Sequence, residues 1–226
     1  MARTRRAEWW LVGLLLALVM GCAVPRPNDQ DNSRAADPTG QQSESAPSAP
    51  PVTSTAVPSR DAAGNQDPAR FALQVRTHAE ATGMNPVLVM AILYNESYKP
   101  HDPELERAWQ KIDPDAAFGI ANMHRAAFDD TKQGRPFADR AWEELPDEPE
   151  LAIQAAAWYL HDLNTQLPDS WAGPLTRDEL LALGYNAGPG NMTAFADGAP
   201  PGIQAQSYLD RFHGNWARAE DAIAGA

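Results

Sequence analysis

The sequence of 226 residues contains a single cysteine, Cys22, which lies close to the start of the chain. A single cysteine excludes an internal disulfide framework, so a folded domain must be held together by its apolar core. It also leaves the rest of the chain without a thiol nucleophile, and no G-x-S-x-G elbow offers a serine instead. Nucleophilic catalysis by Cys or Ser is therefore not expected.

Histidines are few and widely spaced, and the sequence has no H-E-x-x-H pair. Zinc hydrolases place their ligands at such fixed spacings. The five histidines are His78, His101, His124, His161 and His213. We expect all of them to be structural or surface residues, and we expect neither a metal ion nor an organic cofactor.

Basic residues are also scarce, with 18 Lys and Arg against 30 Asp and Glu and a net charge of −12. Residues 68–226 alone hold 23 acidic and 12 basic residues. Binding to nucleic acid or to an anionic membrane surface requires clustered Lys and Arg. Nucleic acid is therefore excluded as a partner, and a large ligand must be held by hydrogen bonds, stacking and shape.

The first 22 residues have the features of an export signal. Arg3, Arg5 and Arg6 are followed by an apolar run from Trp9 to Met20, which is shorter than the ~20 residues of a bilayer span. The run ends at Cys22, which resembles the lipidation site of a bacterial lipoprotein signal. A plain secretory signal with an incidental Cys is the alternative. The lipoprotein interpretation predicts an exported protein, lipid-anchored at the cell envelope through Cys22.

Residues 23–67 contain no aromatic residue, no Leu and no Ile, but much Pro, Ser, Ala, Asp and Gln. Such a segment cannot bury enough apolar surface to offset its chain entropy. We therefore predict a disordered tether between the anchor and a domain at residues 68–226. That domain is long enough to form a substantial core.

The domain is predicted to be all-α, because no segment alternates with a period of two over a useful length. About five to eight helices of modest length are expected from the start and stop signals. Predicted helix starts are Asp67-Pro68, Asn85-Pro86, Asp113-Pro114, Asp147 with Glu150, and the capping box of Thr176 with Glu179. The segment Gly188-Pro-Gly190 is interpreted as a turn that stops a helix, and a last helix includes Tyr208, Leu209 and Phe212.

The helix that begins at Pro86 is apolar on nearly every face, yet it ends at Glu96. A buried, unpaired carboxylate is costly, so Glu96 must be paired, exposed or used. Partial burial raises the pKa of a carboxyl group, as a general acid near neutral pH requires. From the helix alone, a Glu96 that turns to solvent, or pairs with Lys99 or an Arg, is an equal alternative.

Three segments in order favour the functional interpretation: Glu96-Ser97, Phe118-Gly-Ile-Ala-Asn122 and Gly184-Tyr-Asn-Ala-Gly188. Together they resemble the soluble lytic transglycosylase domain, a lysozyme-like family, related to goose-type lysozyme, that cleaves bacterial peptidoglycan. The resemblance covers most of residues 70–212 and implies a helical domain with a substrate cleft. It implies Glu96 as the catalytic residue. The substrate-binding residues it implies are Ser97, Gly119, Ile120, Asn122, Tyr185, Asn186 and Ala187.

The resemblance implies a mechanism with one carboxyl group. Glu96 would protonate the bond between N-acetylmuramic acid and N-acetylglucosamine, and would then remove a proton from the muramic C6 hydroxyl to close a 1,6-anhydro ring. Tyr185 would hydrogen-bond the carboxyl, and Asn186 and Asn122 would contact the sugars. Ser97 either helps place the acetamido group or caps the helix end. The expected partner is a peptidoglycan strand, bound by a monomer.

The sequence departs from the family at several positions. Ala121 and Asn122 stand where Met and Gln are usual, and both are shorter, which predicts a wider groove or a different sugar subsite. Ser97 is followed by YKPHDP rather than an Asn-Pro segment, and Gly184 replaces the usual Ala, a small change.

Two other functions remain open from the sequence: a goose-type muramidase that adds water, and a non-catalytic wall-binding module. A classical hydrolase would need a second carboxylate. Its candidates are Asp102, Asp113 and Asp115, although Asp113 is better explained as a helix cap. Among the tryptophans, Trp158 is predicted to be core, whereas Trp109, Trp142, Trp171 and Trp216 are undecided between core and sugar stacking.

Overall fold

Three helical segments in the described part of the chain begin where a capping side chain precedes a proline, at Asp67, Asn85 and Asp102. In the computed structural model, which describes residues 67–97 and 101–226, the Asp67 side chain accepts a hydrogen bond from Ala69 N–H, and that of Asn85 accepts one from Val87 N–H. Thr176 and Glu179 form the predicted capping box. The export signal, Cys22 and residues 23–66 of the tether lie outside the described residues.

The described residues form eight α-helices and one short hairpin, which confirms the all-α prediction. The helices are α1 Ala72–Thr82, α2 Pro86–Glu96, α3 Pro103–Gln110, α4 Arg125–Thr131, α5 Pro149–Gln166, α6 Arg177–Ala187, α7 Pro189–Ala196 and α8 Ile203–Ala224. Two 3-10 turns lie at Pro68–Phe71 and Trp142–Glu144. Gly188 ends α6 as predicted, and Pro189 starts α7 immediately afterwards.

The prediction that the domain contains no strand is wrong, because two short strands are present. Strands β1 (Ala117–Phe118) and β2 (Met123–His124) pair antiparallel, with Ala117 opposite His124 and Phe118 opposite Met123. A two-residue strand is too short to show an alternating pattern in sequence. The hairpin matters because residues 119–122 form its turn.

Two predicted helix starts are wrong, and helices α3, α4 and α7 were not predicted. Asp113 caps no helix, since its side chain accepts from Asp115 N–H in a local turn before β1. Helix α5 has Glu148 at its N-cap position, without a side-chain cap bond, and Asp147 instead pairs with Arg107. Helix α3 was missed, although Asp102 caps it by accepting from the N–H groups of Glu104 and Leu105.

The core is built around α2. Every residue of this helix from Leu88 to Glu96 is buried, as its lack of a polar face requires. The most extensive helix–helix contact among the described residues joins α2 to α8, which turns Ala205, Tyr208, Leu209 and Phe212 inward. As a result, the end of α2 and the middle of α8 face each other. No helix in the described part of the chain is long and apolar enough to cross a membrane.

Candidate active site

Glu96 is the last residue of α2 and is only 5% exposed. The Tyr208 hydroxyl donates a hydrogen bond to Oε1 at 3.0 Å. The Asn122 carboxamide Nδ2 donates to Oε2 at 2.9 Å. The alternative in which Glu96 turns to solvent is therefore wrong, because each carboxyl oxygen has a donor in a buried setting. Lys99, the other suggested partner, lies outside the described residues.

Tyr208 was missed as a site residue. It comes from α8, far from the three motifs in sequence, and was predicted only as part of a helix. Burial, together with the charge of Glu96, raises the pKa of the Tyr208 phenol well above its ordinary value of 10.0. The hydroxyl is thus held in its protonated form, in which it can donate to a carboxylate.

Tyr185 does not hydrogen-bond the carboxyl as expected. Its hydroxyl donates to the Ala121 carbonyl at 2.7 Å, and its ring packs edge-on against Tyr159 with centroids 5.5 Å apart. Burial, and then the charge of Glu96, raises the pKa of the Tyr185 phenol well above 10.0. Tyr185 therefore acts on the backbone of the 119–122 turn, within the electrostatic reach of Glu96.

The 119–122 turn presents Asn122 to Glu96. Gly119 and Asn122 both have positive φ, at 74° and 47°, and Asn122 N–H donates to the Gly119 carbonyl at 2.8 Å. Asn enters the left-handed region more readily than most residues, so the position suits an Asn. A Cβ on Gly119 would lie 2.7 Å from the Leu145 carbonyl oxygen, so glycine is required there.

Ala121 is 0% exposed and lies in the core, whereas Ile120 is 5% exposed and also lines a surface pocket of about 360 Å³ beside His101 and Pro103. The prediction that a short residue at position 121 widens a groove is therefore wrong, because the Ala121 side chain borders no open surface. Asn122, which is partly exposed, is the residue of this motif placed to combine contact with Glu96 and contact with a ligand.

Asn186 and Ala187 line a surface pocket of about 540 Å³ at the end of α6. Phe195 and Ile203 supply apolar wall, and Ile203 is 92% exposed. Asn191 also lines the pocket, and its Nδ2 donates to the Ala187 carbonyl at 2.7 Å. Carboxamides beside apolar wall are suited to sugar hydroxyls and acetamido groups.

Ser97 caps the end of α2. Its hydroxyl donates to the Tyr94 carbonyl at 3.0 Å, one of the carbonyls that a helix end leaves without a partner. This contact matches the helix-capping alternative for Ser97.

The remaining candidates have local roles. Asp102 caps helix α3, Asp113 holds a local turn, and His124 contacts the Asp115 carbonyl. Within residues 67–97 and 101–226, no three His, Cys, Asp or Glu side chains cluster as a metal site would require.

The tryptophans divide between core and surface. Trp142 is fully buried and donates from Nε1 to the Met123 carbonyl at 2.8 Å. Trp158, Trp171 and Trp216 are partly buried against the core. Trp109, on α3, is 52% exposed.

Comparison with protein families gives a match to the Transglycosylase SLT domain over residues 74–198. The match includes all three motifs and ends before α8 and Tyr208. No curated protein matches the chain.

Proposed function

Since this chain belongs to the transglycosylase SLT domain family, whose members cleave the glycan strands of peptidoglycan, we propose that it is a lytic transglycosylase with Glu96 as its single acid and base. One observation carries the proposal: a buried carboxyl group at the end of an apolar helix has hydrogen-bond donors at both oxygens, from Tyr208 and Asn122.

In the first step, neutral Glu96 gives its proton to the oxygen that joins C1 of N-acetylmuramic acid to C4 of N-acetylglucosamine. The C1–O bond breaks, and the acetamido oxygen of the muramic residue stabilises the positive charge at C1. In the second step, ionised Glu96 removes the proton of the C6 hydroxyl, whose oxygen bonds to C1 and closes the 1,6-anhydro ring. Glu96 ends protonated, and no water is consumed.

Between the two steps Glu96 carries a negative charge in a buried place. A hydrogen bond to an ionised carboxylate is roughly twice as strong as one between neutral groups. The Tyr208 hydroxyl and the Asn122 amide are therefore expected to stabilise this intermediate state and to fix the carboxyl plane towards the substrate. Asn186, with Ala187, is proposed to contact sugar groups from the pocket at the end of α6.

We further propose, from the sequence of residues 1–22, that the enzyme is exported and anchored by a lipid on Cys22. Metabolic labelling with a clickable fatty acid tests this. The full chain should incorporate label and Cys22→Ser should not, whereas equal labelling of both would contradict the anchor.

Glu96→Gln tests the catalytic role. General acid–base catalysis contributes about 10²- to 10⁴-fold, so lysis of purified peptidoglycan should fall by that factor with the thermal midpoint retained. Glu104→Gln, an exposed change on α3, is the matched control and should keep full activity. Absence of lysis by the wild type and by Glu96→Gln alike would instead support a non-catalytic wall-binding module, and equal lysis by both would refute Glu96 as the acid.

Product analysis separates the transglycosylase from the muramidase. Mass spectrometry of the wild-type digest should show anhydromuropeptides, each lighter by one water than a reducing-end product. A digest that contains reducing ends alone would refute the transglycosylase and favour the goose-type hydrolase on the same scaffold.

A further inference from the structure

We propose that Glu106 is a positioning residue, which holds the 119–122 turn in place and thereby holds the Asn122 carboxamide against Glu96. The inference rests on the proposed function, in which Glu96 reacts. It concerns helix α3, which lies in the chain between the Glu96 and Asn122 motifs and was missed from the sequence.

The Glu106 carboxyl group joins two elements. Oε2 accepts from Gly119 N–H at 2.9 Å, and Oε1 lies 2.7 Å from Nδ1 of His101. The Glu106 and His101 side chains are only 14% and 8% exposed. Such enclosure strengthens both contacts, because water does not compete for them. A carboxylate has no proton to give, so His101 donates through Nδ1–H.

The turn that Glu106 holds is short and closed on itself. The N–H of Gly119 bonds to Glu106, while its carbonyl accepts from Asn122 N–H at 2.8 Å. The Leu145 carbonyl lies so near Gly119 that the glycine has no room for a Cβ. A displacement of Gly119 is therefore passed to Asn122 through a hydrogen bond and three peptide units.

Asn122 then meets Glu96 through its Nδ2, at 2.9 Å from Oε2. The other side of the turn is fixed separately, since Tyr185 donates to the Ala121 carbonyl. Glu106 and Tyr185 thus hold the turn from two directions. Loss of the Glu106 hydrogen bond would free Gly119, at the start of the turn, to move.

This arrangement predicts an effect on turnover rather than on substrate binding. Misplacement of a reacting group by about 1 Å can cost roughly 10²-fold in rate. We expect Glu106→Ala to lower kcat about ten- to a hundredfold on soluble, uncross-linked glycan strands, with KM little changed. Glu106→Gln keeps an oxygen for Gly119 N–H and should restore most of kcat.

A double-mutant cycle with Asn122→Ala tests whether Glu106 acts through Asn122. In the Asn122→Ala background, Glu106→Ala should lower kcat little further. If the two losses multiply, or if Glu106→Ala lowers the thermal midpoint while kcat is kept, the inference is overturned. Glu104→Gln on the same helix is the control.

A readout without turnover separates this inference from the proposed function. The side-chain amide signals of Asn122, assigned by ¹⁵N NMR in the full chain, report its bond to Glu96. They should shift in Glu106→Ala, stay near wild type in Glu106→Gln, and be unaffected by Glu104→Gln. Unchanged signals in Glu106→Ala overturn the inference. Absence of lysis by the wild type would refute the proposed function, and the amide signals would still decide the role of Glu106.

Discussion

At the scale of single residues, the site depends on how one buried carboxyl group is held. Glu96 accepts one hydrogen bond from the Tyr208 hydroxyl on α8 and one from the Asn122 carboxamide in the hairpin turn, so its two oxygens are oriented by different elements. Both phenols near it are neutral at physiological pH, and burial raises their pKa further above 10.0; Tyr208 donates to the carboxylate and Tyr185 donates to the turn. We expect Tyr208 to affect turnover more than Tyr185, because Tyr208 donates directly to the Glu96 carboxyl group.

Tyr208→Phe should therefore impair turnover more than Tyr185→Phe. A hydrogen bond to a charged group contributes about 1.5–3 kcal/mol, which corresponds to roughly ten- to a hundredfold in kcat if it is felt in the reaction. Tyr185→Phe removes a bond to a neutral carbonyl, worth about 1 kcal/mol of stability. Kinetics on soluble glycan strands and thermal melts of both variants provide the measurement. A larger loss of kcat in Tyr185→Phe would contradict this account of the site.

At the scale of elements, α6 carries residues of two parts of the candidate site. Tyr185 bonds the 119–122 turn, and Asn186 and Ala187 line the surface pocket. The helix begins at the Thr176 capping box and ends at Tyr185, Asn186 and Ala187. Its Gly184, regarded from the sequence as a small departure from the family, is packed closely: a Cβ there would lie 2.7 Å from Sδ of Met192 on α7. The glycine and the methionine therefore fill one space together.

Gly184→Ala should destabilise the domain by about 1 kcal/mol, because overpacking of about 1–3 kcal/mol exceeds the helix propensity gained. Met192 is flexible, which limits the loss. Gly190→Ala is the matched control: no atom lies within 4 Å of a Cβ there, so it should be neutral or stabilising. Urea unfolding of both variants measures the difference. A Gly184→Ala protein as stable as Gly190→Ala would show that the contact is not tight.

Glu179 makes the start of α6 sensitive to pH. Burial favours a higher pKa, but hydrogen bonds from the Thr176 N–H and hydroxyl, and the contact with His213, outweigh it and hold the pKa of Glu179 below its ordinary value of 4.5. A lowered folded pKa means that the stabilisation is present above pH 4.5 and is lost as pH falls through the folded pKa.

We expect Glu179→Gln to lower the free energy of unfolding near pH 7 and to make less difference as the pH falls below 4.5. Thermal or urea unfolding from pH 7 downward measures this. Asp169→Asn, an exposed change shortly before α6, tests for a general effect of charge. A gap between Glu179→Gln and wild type that widens towards acid would contradict the assignment.

At the scale of the whole molecule, the last helix, α8, packs against the core helix α2. Helix α8 covers α2 and brings Tyr208 to Glu96. It also joins the two ends of the domain, since Arg218 bonds Asp67 and lies over the Tyr94 ring at 4.0 Å, and Arg76 donates to the Ala226 carbonyl. The family match ends at residue 198, before this helix.

A chain that ends at Gly202 should therefore fail to form a native core, although it contains every residue of the family match. Removal of α8 exposes apolar side chains of α2, at roughly 25 cal/mol for each Å². Near-UV circular dichroism and dye binding should show lost side-chain packing. Addition of a peptide of residues 203–226 should restore part of the signal. A cooperative, active truncated chain would show that α8 is dispensable.

Helix α2 and several helix starts could be predicted from the sequence because they depend on residues that are close together in the chain. Helix α2 and its charged end follow from an unbroken apolar run, and the caps at Asp67, Asn85 and Thr176 follow from short side chains before helical segments. The two-residue strands gave too little periodicity to detect, whereas helix α3 is amphipathic and follows an Asp-Pro start, and it was missed all the same. The alternation that reveals a strand cannot show in two residues, and Asp102 was not recognised as a cap.

By itself, the sequence determined an all-α domain and the three motifs that place it in its family, because helix periodicity, caps and motif order are properties of neighbouring residues. Only the tertiary structure decided what holds Glu96. Tyr208 is separated from it by 112 positions and Asn122 by 26, and Glu106 accepts a hydrogen bond from the turn on a helix that was not predicted. Such contacts form when α8 packs on α2 to bury apolar surface, and which hydroxyl then meets the carboxyl depends on the angle and register of that packing.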